Sequence, residues 1–412
     1  MDPIRRQILR AALAAGVAGT GGLLASRVSF AAAGSGDARF VFVLLRGALD
    51  GLAAVPAVGD PDYVRLRGEL DLSRSAALHR LDDTFALHPS LNFMAEQWGQ
   101  KQLAVVHAVS TPYRERSHFD AQDVLESGFV RPHASQSGWL NRALDGLPAA
   151  LRGSGRNAGV ALGANIPLVM RGPTEVASWS PGRMPDMEND TLQRIAQMYS
   201  KDELLSQRLA DALAADEIAG QGAGMSMNMS TGMGTAGARA AAGAQLTQTA
   251  KATASFLTQP DGPRVAVFET TGWDTHANQG ADQGALALRL AGLDAGLRAL
   301  HDALGTSWDR TVVLVATEFG RTVAINGTRG TDHGTGAAAF LLGGAVRGGR
   351  VVGQWPGLKT AALYQGRDLQ PTTDLRSVMK TVLRDHLQVA QRRLDNDVFP
   401  DSAGAGYLQD LI

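Results

Sequence analysis

Short apolar runs, continuous rather than alternating with polar residues, recur along this chain and are separated by helical patterns. Phe40 to Leu45, Leu103 to Val109, Val265 to Phe268 and Thr311 to Thr317 all read this way, as strands buried on both faces do. Between the third and fourth runs, Leu286, Leu290, Leu293, Leu297, Leu300 and Leu304 fall three and four positions apart, on one face of an amphipathic helix. Strand, helix, strand is the crossover unit of a parallel sheet. A weaker fifth run, Ala338 to Leu342, stops at Gly343-Gly344. Asp374 to Leu387 sets Leu375, Val378, Val382 and Leu383 along one side of a helix, which is predicted to pack back on the sheet. The pattern predicts an α/β fold: a doubly wound, mostly parallel sheet with helices on both faces.

One segment departs from this pattern. From Ala219 to Ala244 the chain is Gly, Ala, Ser, Thr and Met with almost no charge, and it contains Met225, Met227 and Met229. The composition predicts a flexible Gly/Ala/Met-rich insertion near 219–250. Alternating thioethers in an exported protein could also bind Cu(I), which soft sulfur selects.

Composition narrows the classes of function. With 412 residues, 44% of them hydrophobic, the chain can bury a sizeable core. Its 39 Lys and Arg against 40 Asp and Glu leave no net charge to attract nucleic acid, so no nucleic-acid partner is expected. Cysteine is absent, which excludes disulfides, thiolate catalysis and Cys-ligated metals. Any metal has to be held by His, Asp and Glu.

Arg5-Arg6-Gln7-Ile8-Leu9-Arg10, a Gly/Ala/Leu stretch from Ala11 to Ala25 and the small residues Ala31-Ala32-Ala33 form the pattern of a twin-arginine export signal. Residues 1–33 are therefore predicted to be that signal, read by the twin-arginine (Tat) export machinery, with 34–412 as a single mature domain. The stretch is shorter and more Gly-rich than the roughly 20 apolar residues of a membrane span. A periplasmic or secreted location follows from it. That pathway carries folded proteins, which suits a chain that acquires its metal before export.

In open α/β sheets, ligands bind beyond the carboxyl ends of the strands. After the first run comes Arg46-Gly47-Ala48-Leu49-Asp50, and after the second Tyr113-Arg114-Glu115-Arg116-Ser117-His118. Asp274 and His276 follow the third, Glu318-Phe319-Gly320-Arg321 follows the fourth, and Asp332-His333 precedes the fifth. A lone Asp after a strand is more often a helix N-cap than a ligand, but five polar loops on one sheet edge point to a shared cavity. With parallel strands, Asp50, His118, Asp274, His276, Glu318, Asp332 and His333 can all reach it, and their carboxylates would repel without a cation. Imidazole and carboxylate donors suit one or two Zn²⁺, Mn²⁺ or Mg²⁺ ions. Ser117 opens a helix, where it either caps the backbone or serves as a metal-activated nucleophile. Arg46, Arg114, Arg116 and Arg321 offer forks for a tetrahedral oxyanion, although each alone could be an ordinary salt bridge.

The stretches FVFVLLRGALDGL, PYRERSHFDAQDVLESG, GWDTHANQG, VVLVATEFGRT and TDHGTGAAAFLLGG resemble the exported bacterial domain of unknown function 1501 family, over nearly the whole mature chain. That family is similar in turn to the alkaline phosphatase and sulfatase superfamily, which holds one or two metal ions at the carboxyl edge of a doubly wound sheet. The resemblance implies an alkaline phosphatase-like fold, with Asp50 as the first metal-bound carboxylate, Ser117 as nucleophile, Asp274 and His276 at one ion, and His333 as a late ligand. It also exposes a departure. Superfamily enzymes have Asp-His-Gly where this chain has Glu318-Phe319-Gly320, and Phe319 supplies no donor, so a second ion's site is weakened or absent.

Three functions remain open on the sequence. One is an exported metal-dependent hydrolase or transferase of phosphate or sulfate esters, with Ser117 attacking and Arg116, Arg46 and Arg321 holding the oxygens of an anionic ester. The alternative is a catalytically inactive metal-binding or assembly protein of the cell envelope, which Phe319 favours; copper handling through the methionines is a third, smaller possibility.

Overall fold

Side-chain alternation along the first strand, β1 (Arg39–Arg46), explains why its run is apolar throughout. Val41, Val43 and Leu45 enter one hydrophobic cluster, while Phe40, Phe42 and Leu44 enter another on the opposite face of the sheet. Both faces are covered by helices, so neither set of positions can be polar. The computed structural model describes residues 37–152, 158–180 and 235–412, with isolated positions between 198 and 219. The expected export signal at 1–33 and the methionines at 225, 227 and 229 lie outside the described residues. Gly36–Ile412 forms one compact unit.

The strands follow in chain order: β2 (His79–Arg80), β3 (Ala86–Leu87), β4 (Leu103–Ser110), β5 (Gly159–Leu162), β6 (Ala177–Trp179), β7 (Val265–Thr271), β8 (Thr311–Thr317), β9 (Ala337–Leu342), β10 (Arg350–Val352) and β11 (Thr373–Asp374). β2 and β3 pair with each other, and the rest form a nine-stranded sheet in the order β10-β4-β9-β8-β1-β7-β5-β6, with β11 beside β4. β1 lies between β7 and β8, parallel to both, with Val43 opposite Phe268 on one side and Val315 on the other.

β9 is the exception that completes the site. It runs antiparallel to both β4 and β8. Its N-terminal end therefore lies at the edge where the other strands have their C-terminal ends. The loop carrying Asp332 and His333 precedes β9, and only this reversal brings it to the same edge as the loops after β1, β7 and β8.

Among the described residues, the helices of seven residues or more are α1 (Asn92–Gly99), α2 (His118–Ser127), α3 (Trp139–Asp145), α4 (Thr235–Thr258), α5 (Ala285–Leu304) and α6 (Leu375–Asp385). The leucines of α5 other than Leu288 pack on the Val41 face, and Val378, Met379, Val382 and Leu383 of α6 on the Phe40 face. The two amphipathic stripes legible in the sequence thus cover opposite sides of the sheet.

The insertion expected near 219–250 needs correcting where it is described. From Thr235 onward it is α4, not loop. Alanine is the best helix former, and Gly243 lets α4 approach α5 closely. A Cβ built on Gly243 would lie 3.6 Å from the Cα of Gly292. Among the described residues, no helix is long and apolar enough to cross a membrane.

Candidate metal centre

His118 is the first residue of α2, which starts without a side-chain cap and ends at Gly128 in the left-handed conformation. Ser117 occupies the N-cap position, but its hydroxyl makes no capping bond. Immediately before it, Arg116 has a φ of 61°, unusual for a residue with a side chain. That turn aims the Arg116 carbonyl at His333, whose Nδ1 lies 3.0 Å from it. A carbonyl can only accept, so Nδ1 of His333 carries the proton and Nε2 is left with its lone pair.

The same logic applies to the other two imidazoles. Nδ1 of His118 lies 2.8 Å from Oε1 of Glu318, and Nδ1 of His276 lies 3.2 Å from Oδ1 of Asp332. Each ring therefore donates from Nδ1 and presents Nε2 inward. The His118 and His333 Nε2 atoms are 2.9 Å apart, and those of His276 and His333 are 3.0 Å apart. Asp274 closes the group, with Oδ1 at 3.0 Å from His276 Nε2 and 3.3 Å from His333 Nε2, and Oδ2 at 3.4 Å from His118 Nε2.

Lone pairs and a carboxylate at these separations repel one another unless a proton or a cation lies among them. His118, Asp274 and His333 each offer a ligand atom within 4.8 Å of the others. Metal–ligand bonds of about 2.0–2.1 Å in a tetrahedron imply edges of about 3.3 Å, close to the separations among His118, Asp274 and His333. Imidazoles fixed through Nδ1 by a carboxylate or a carbonyl are also the usual outer support of a metal site. The donor set fits a divalent ion.

Of the residues singled out in the sequence, His118, Asp274, His276 and His333 come together. Glu318 and Asp332 stand one layer behind them. Glu318 is buried and fully used: Oε1 accepts from His118, Gly47 N at 2.8 Å and Gln122 Nε2 at 3.1 Å, and Oε2 accepts from Thr317 Oγ1 at 2.8 Å. Asp332 also accepts from Asn326 Nδ2 at 2.9 Å. Asp50 is held elsewhere. It caps the one-turn helix Gly51–Ala54, pairs with the buried Arg67 at 2.5 Å and accepts from Gln279 at 2.7 Å.

The arginines are paired as well. Arg46 binds Glu126 at 2.8 Å and Glu269 at 2.6 Å, and Arg116 binds the buried Asp368 at 2.7 Å. Arg321, wholly buried, donates to Asp274 and to the carbonyl of Thr331. Arg114 donates to the carbonyls of Thr111 and Tyr113. Phe319 packs with Ala48 and Ala121 and lies against the rings of both His118 and His333.

These contacts set the protonation of the site. Donation to Glu318 raises the pKa of His118 against the opposing effect of burial. Burial, reinforced by the nearby His118, lowers that of His333. Burial alone would raise Asp274, but the hydrogen bond and charge of Arg321 outweigh it and hold the carboxyl below its usual range. Glu318 is likewise lowered, because its bonds from His118, Gln122 and Thr317 outweigh its burial. Asp332 is lowered chiefly by Asn326.

Beside the centre, a groove of about 440 Å³ runs along α2, lined by Arg46, Phe119, Gln122, Glu126, Leu168 and Glu269. Phe119, next to His118, is 84% exposed at its rim. Sequence reasoning passed over Gln122, Gln279, Asn326 and Thr331, which bond to residues of the candidate centre or to the groups behind them. Gln279 ends the GWDTHANQ stretch, but neutral amides carry no charge pattern to flag them.

The family described as "Protein of unknown function (DUF1501)" matches residues 37–398. Among solved structures, the chain is similar to the phosphonate monoester hydrolase of Agrobacterium radiobacter, at 10% identity over 85% of this chain and 74% of that one, with a TM-score of 0.41. It is similar to Ps i-CgsB in complex with k-i-k-neocarrahexaose, at 9% identity over 87% and 74%, TM-score 0.40. A third likeness is to the C-terminal periplasmic domain of EcEptC from Escherichia coli in complex with Zn, at 11% identity over 92% and 93%, TM-score 0.35. No curated protein matches the chain.

Proposed function

Because this chain belongs to the family described as protein of unknown function (DUF1501), its activity has to be argued from its site, and we propose an exported metal-dependent hydrolase or transferase of phosphate or sulfate esters. The observation that carries this reading is the gathering of the His118 and His333 Nε2 atoms and the Asp274 carboxylate within 4.8 Å of one another, with His276 Nε2 beside His333 and Asp274 and each imidazole fixed from behind through Nδ1. His118, Asp274, His276 and His333 are the ligands. The donors favour Zn²⁺ or Mn²⁺ over Mg²⁺, which takes mostly oxygen. A single ion is assigned, since Phe319 presents only an apolar ring beside His118 and His333 and the oxygens of Asp50 are already used.

When bound, the ion supplies Lewis acidity, polarising an ester oxygen and easing deprotonation of a neighbouring hydroxyl. Ser117 is assigned as that hydroxyl. It adjoins His118, makes no capping bond, and so leaves the first N–H groups of α2 to favour negative charge on a bound oxyanion. Arg321 orients Asp274, and Arg116 fixes the turn that aims its carbonyl at His333. Arg46 stands at the groove beside α2, where the alcohol portion of the ester would lie. The periplasmic or secreted location belongs to the same proposal and rests on the twin-arginine pattern of the N-terminal sequence.

A second reading, a metal-binding or assembly protein without turnover, is favoured by one specific observation: Arg46, Arg116 and Arg321 are all engaged by carboxylates rather than free for a substrate. Elemental analysis of untagged protein and a panel of aryl phosphate, sulfate and phosphonate esters distinguish the two. The hydrolase reading expects bound metal and turnover that drops about 1,000-fold or more in Ser117→Ala. Metal-loaded protein inert across the whole panel supports the binding protein instead.

A further inference from the structure

We propose that Gln279 is a positioning residue for the metal centre, a single buried amide that clamps together the two loops carrying the ligands. The inference rests on the metal-centre reading above. Gln279 is fully buried. Its Oε1 accepts from Thr275 Oγ1 at 2.7 Å and from Thr331 Oγ1 at 3.0 Å. Thr275 sits between Asp274 and His276, and Thr331 precedes Asp332 and His333. One oxygen therefore joins the segment that supplies two ligands after β7 to the segment that supplies another before β9.

The orientation of that amide is fixed from the other end. Its Nε2 donates to Oδ2 of Asp50 at 2.7 Å, and the ionised carboxylate, paired with Arg67, can only accept. A flipped amide would set oxygen against oxygen. Asp50, which the sequence offered as a metal ligand, thus acts on the centre through Gln279. The polarity then runs on without conflict. Thr331 gives its one hydroxyl proton to Gln279 and accepts from Arg321 Nε at 3.2 Å. Arg321 in turn donates to Asp274 Oδ1. A backbone bond from Thr331 N to Thr275 O, at 3.2 Å, ties the same two segments. Asp50, Arg67, Gln279, Thr275, Thr331 and Arg321 are all buried, so water does not compete for these bonds.

Co²⁺ is the probe, since its visible absorption reports coordination number and geometry. The full chain and its variants Gln279→Met, Thr331→Val and Thr331→Ser are freed of metal and titrated with Co²⁺ against a competing chelator, with far-UV circular dichroism as the check on folding. Gln279→Met keeps the side chain's length without its hydrogen bonds, and Thr331→Val removes one hydroxyl while leaving the backbone bond. Both are expected to bind Co²⁺ about 10–100-fold more weakly than wild type, with an altered spectrum, as loss of outer support does. Thr331→Ser restores both affinity and spectrum. Should Gln279→Met fail to fold, Thr331→Val against Thr331→Ser carries the test. Wild-type binding that is unchanged in affinity and spectrum in the folded variants overturns this inference alone. A wild-type protein that takes up no Co²⁺ overturns the metal-centre reading and this one with it.

Discussion

The ring of Phe319 stacks on the imidazole of His118, with 4.9 Å between centroids and 30° between planes, and stands 5.2 Å from the ring of His333. Phe319 is only 3% exposed and shares its small cluster with Ala48 and Ala121. The residue that supplies no donor instead gives two of the proposed ligands a rigid wall. Phe319→Ala removes that wall and leaves a cavity, for a cost of about 3 kcal/mol, at the low end for a buried Phe because the cluster is small. Urea unfolding should show the loss, and a Co²⁺ titration should show weaker binding as both rings gain freedom. Unchanged affinity in the folded variant would mean that Phe319 only packs.

A ligand that binds the native state alone stabilises it by mass action. With free metal at 100 times its dissociation constant, the gain is about 2.7 kcal/mol. Metal-loaded protein should therefore unfold at a higher temperature than chelator-treated protein. His333→Ala, which deletes the imidazole common to both close Nε2 contacts, should unfold at one temperature with or without added metal. Equal melting of loaded and stripped wild type would remove the case for a bound ion.

Gly47 has a φ of 116°, and a Cβ built there would lie 2.7 Å from the backbone N of Asp274 and 3.0 Å from that of Trp273. Its own amide donates to Glu318. Gly47→Ala must therefore strain the turn after β1 and push against the segment that carries Asp274. Strain of this kind costs about 1–3 kcal/mol, and the shift should also lower metal affinity. Chemical denaturation and a Co²⁺ titration read the two effects separately. Wild-type values in both would show that the turn yields at no cost to the site.

The strands that position the centre were legible because each is a continuous apolar run. Thr311–Thr317 coincides with its run, and β1, β4 and β9 extend theirs by a residue or two. Short strands such as β5, β6 and β10 are too brief to show a period. The direction of β9 was not legible either, because an apolar run has no arrow; the loop before it supplies the clue only once its histidine is known to meet the others. Asp50 illustrates a further limit. A carboxylate after a strand looks the same in sequence whether it faces an ion or an arginine, and Arg67, its actual partner, lies in a stretch that carries no motif. That the imidazoles meet was easier to foresee, because His276 and His333 sit in loops, and His118 at a helix start, all dense with polar groups.

Two buried histidines outside the candidate metal centre are expected to govern acid stability. His107 is buried between the rings of Phe85 and Trp355; its Nε2 donates to the carbonyl of Val55 at 3.0 Å, and its Nδ1 accepts from the amide of Ala108 at 2.9 Å. A second proton would meet that N–H. Burial pushes His107 down to about 4, and it does the same to His386, whose Nε2 lies 2.8 Å from the carbonyl of Arg39. In the unfolded chain both titrate near the ordinary value of about 6.5. The unfolded state therefore takes up protons that the native state refuses. Their contribution is fully present above about pH 6.5 and is lost as the pH falls towards 4, by up to about 3 kcal/mol for each group. Urea midpoints measured in the presence of chelator, so that metal release plays no part, should fall between pH 7 and pH 5. His107→Gln should be less stable than wild type at pH 7, yet lose less over the same interval, since the groups at the centre titrate alike in both proteins. An equal fall in the two would show that His107 takes up its proton without resistance in the native state.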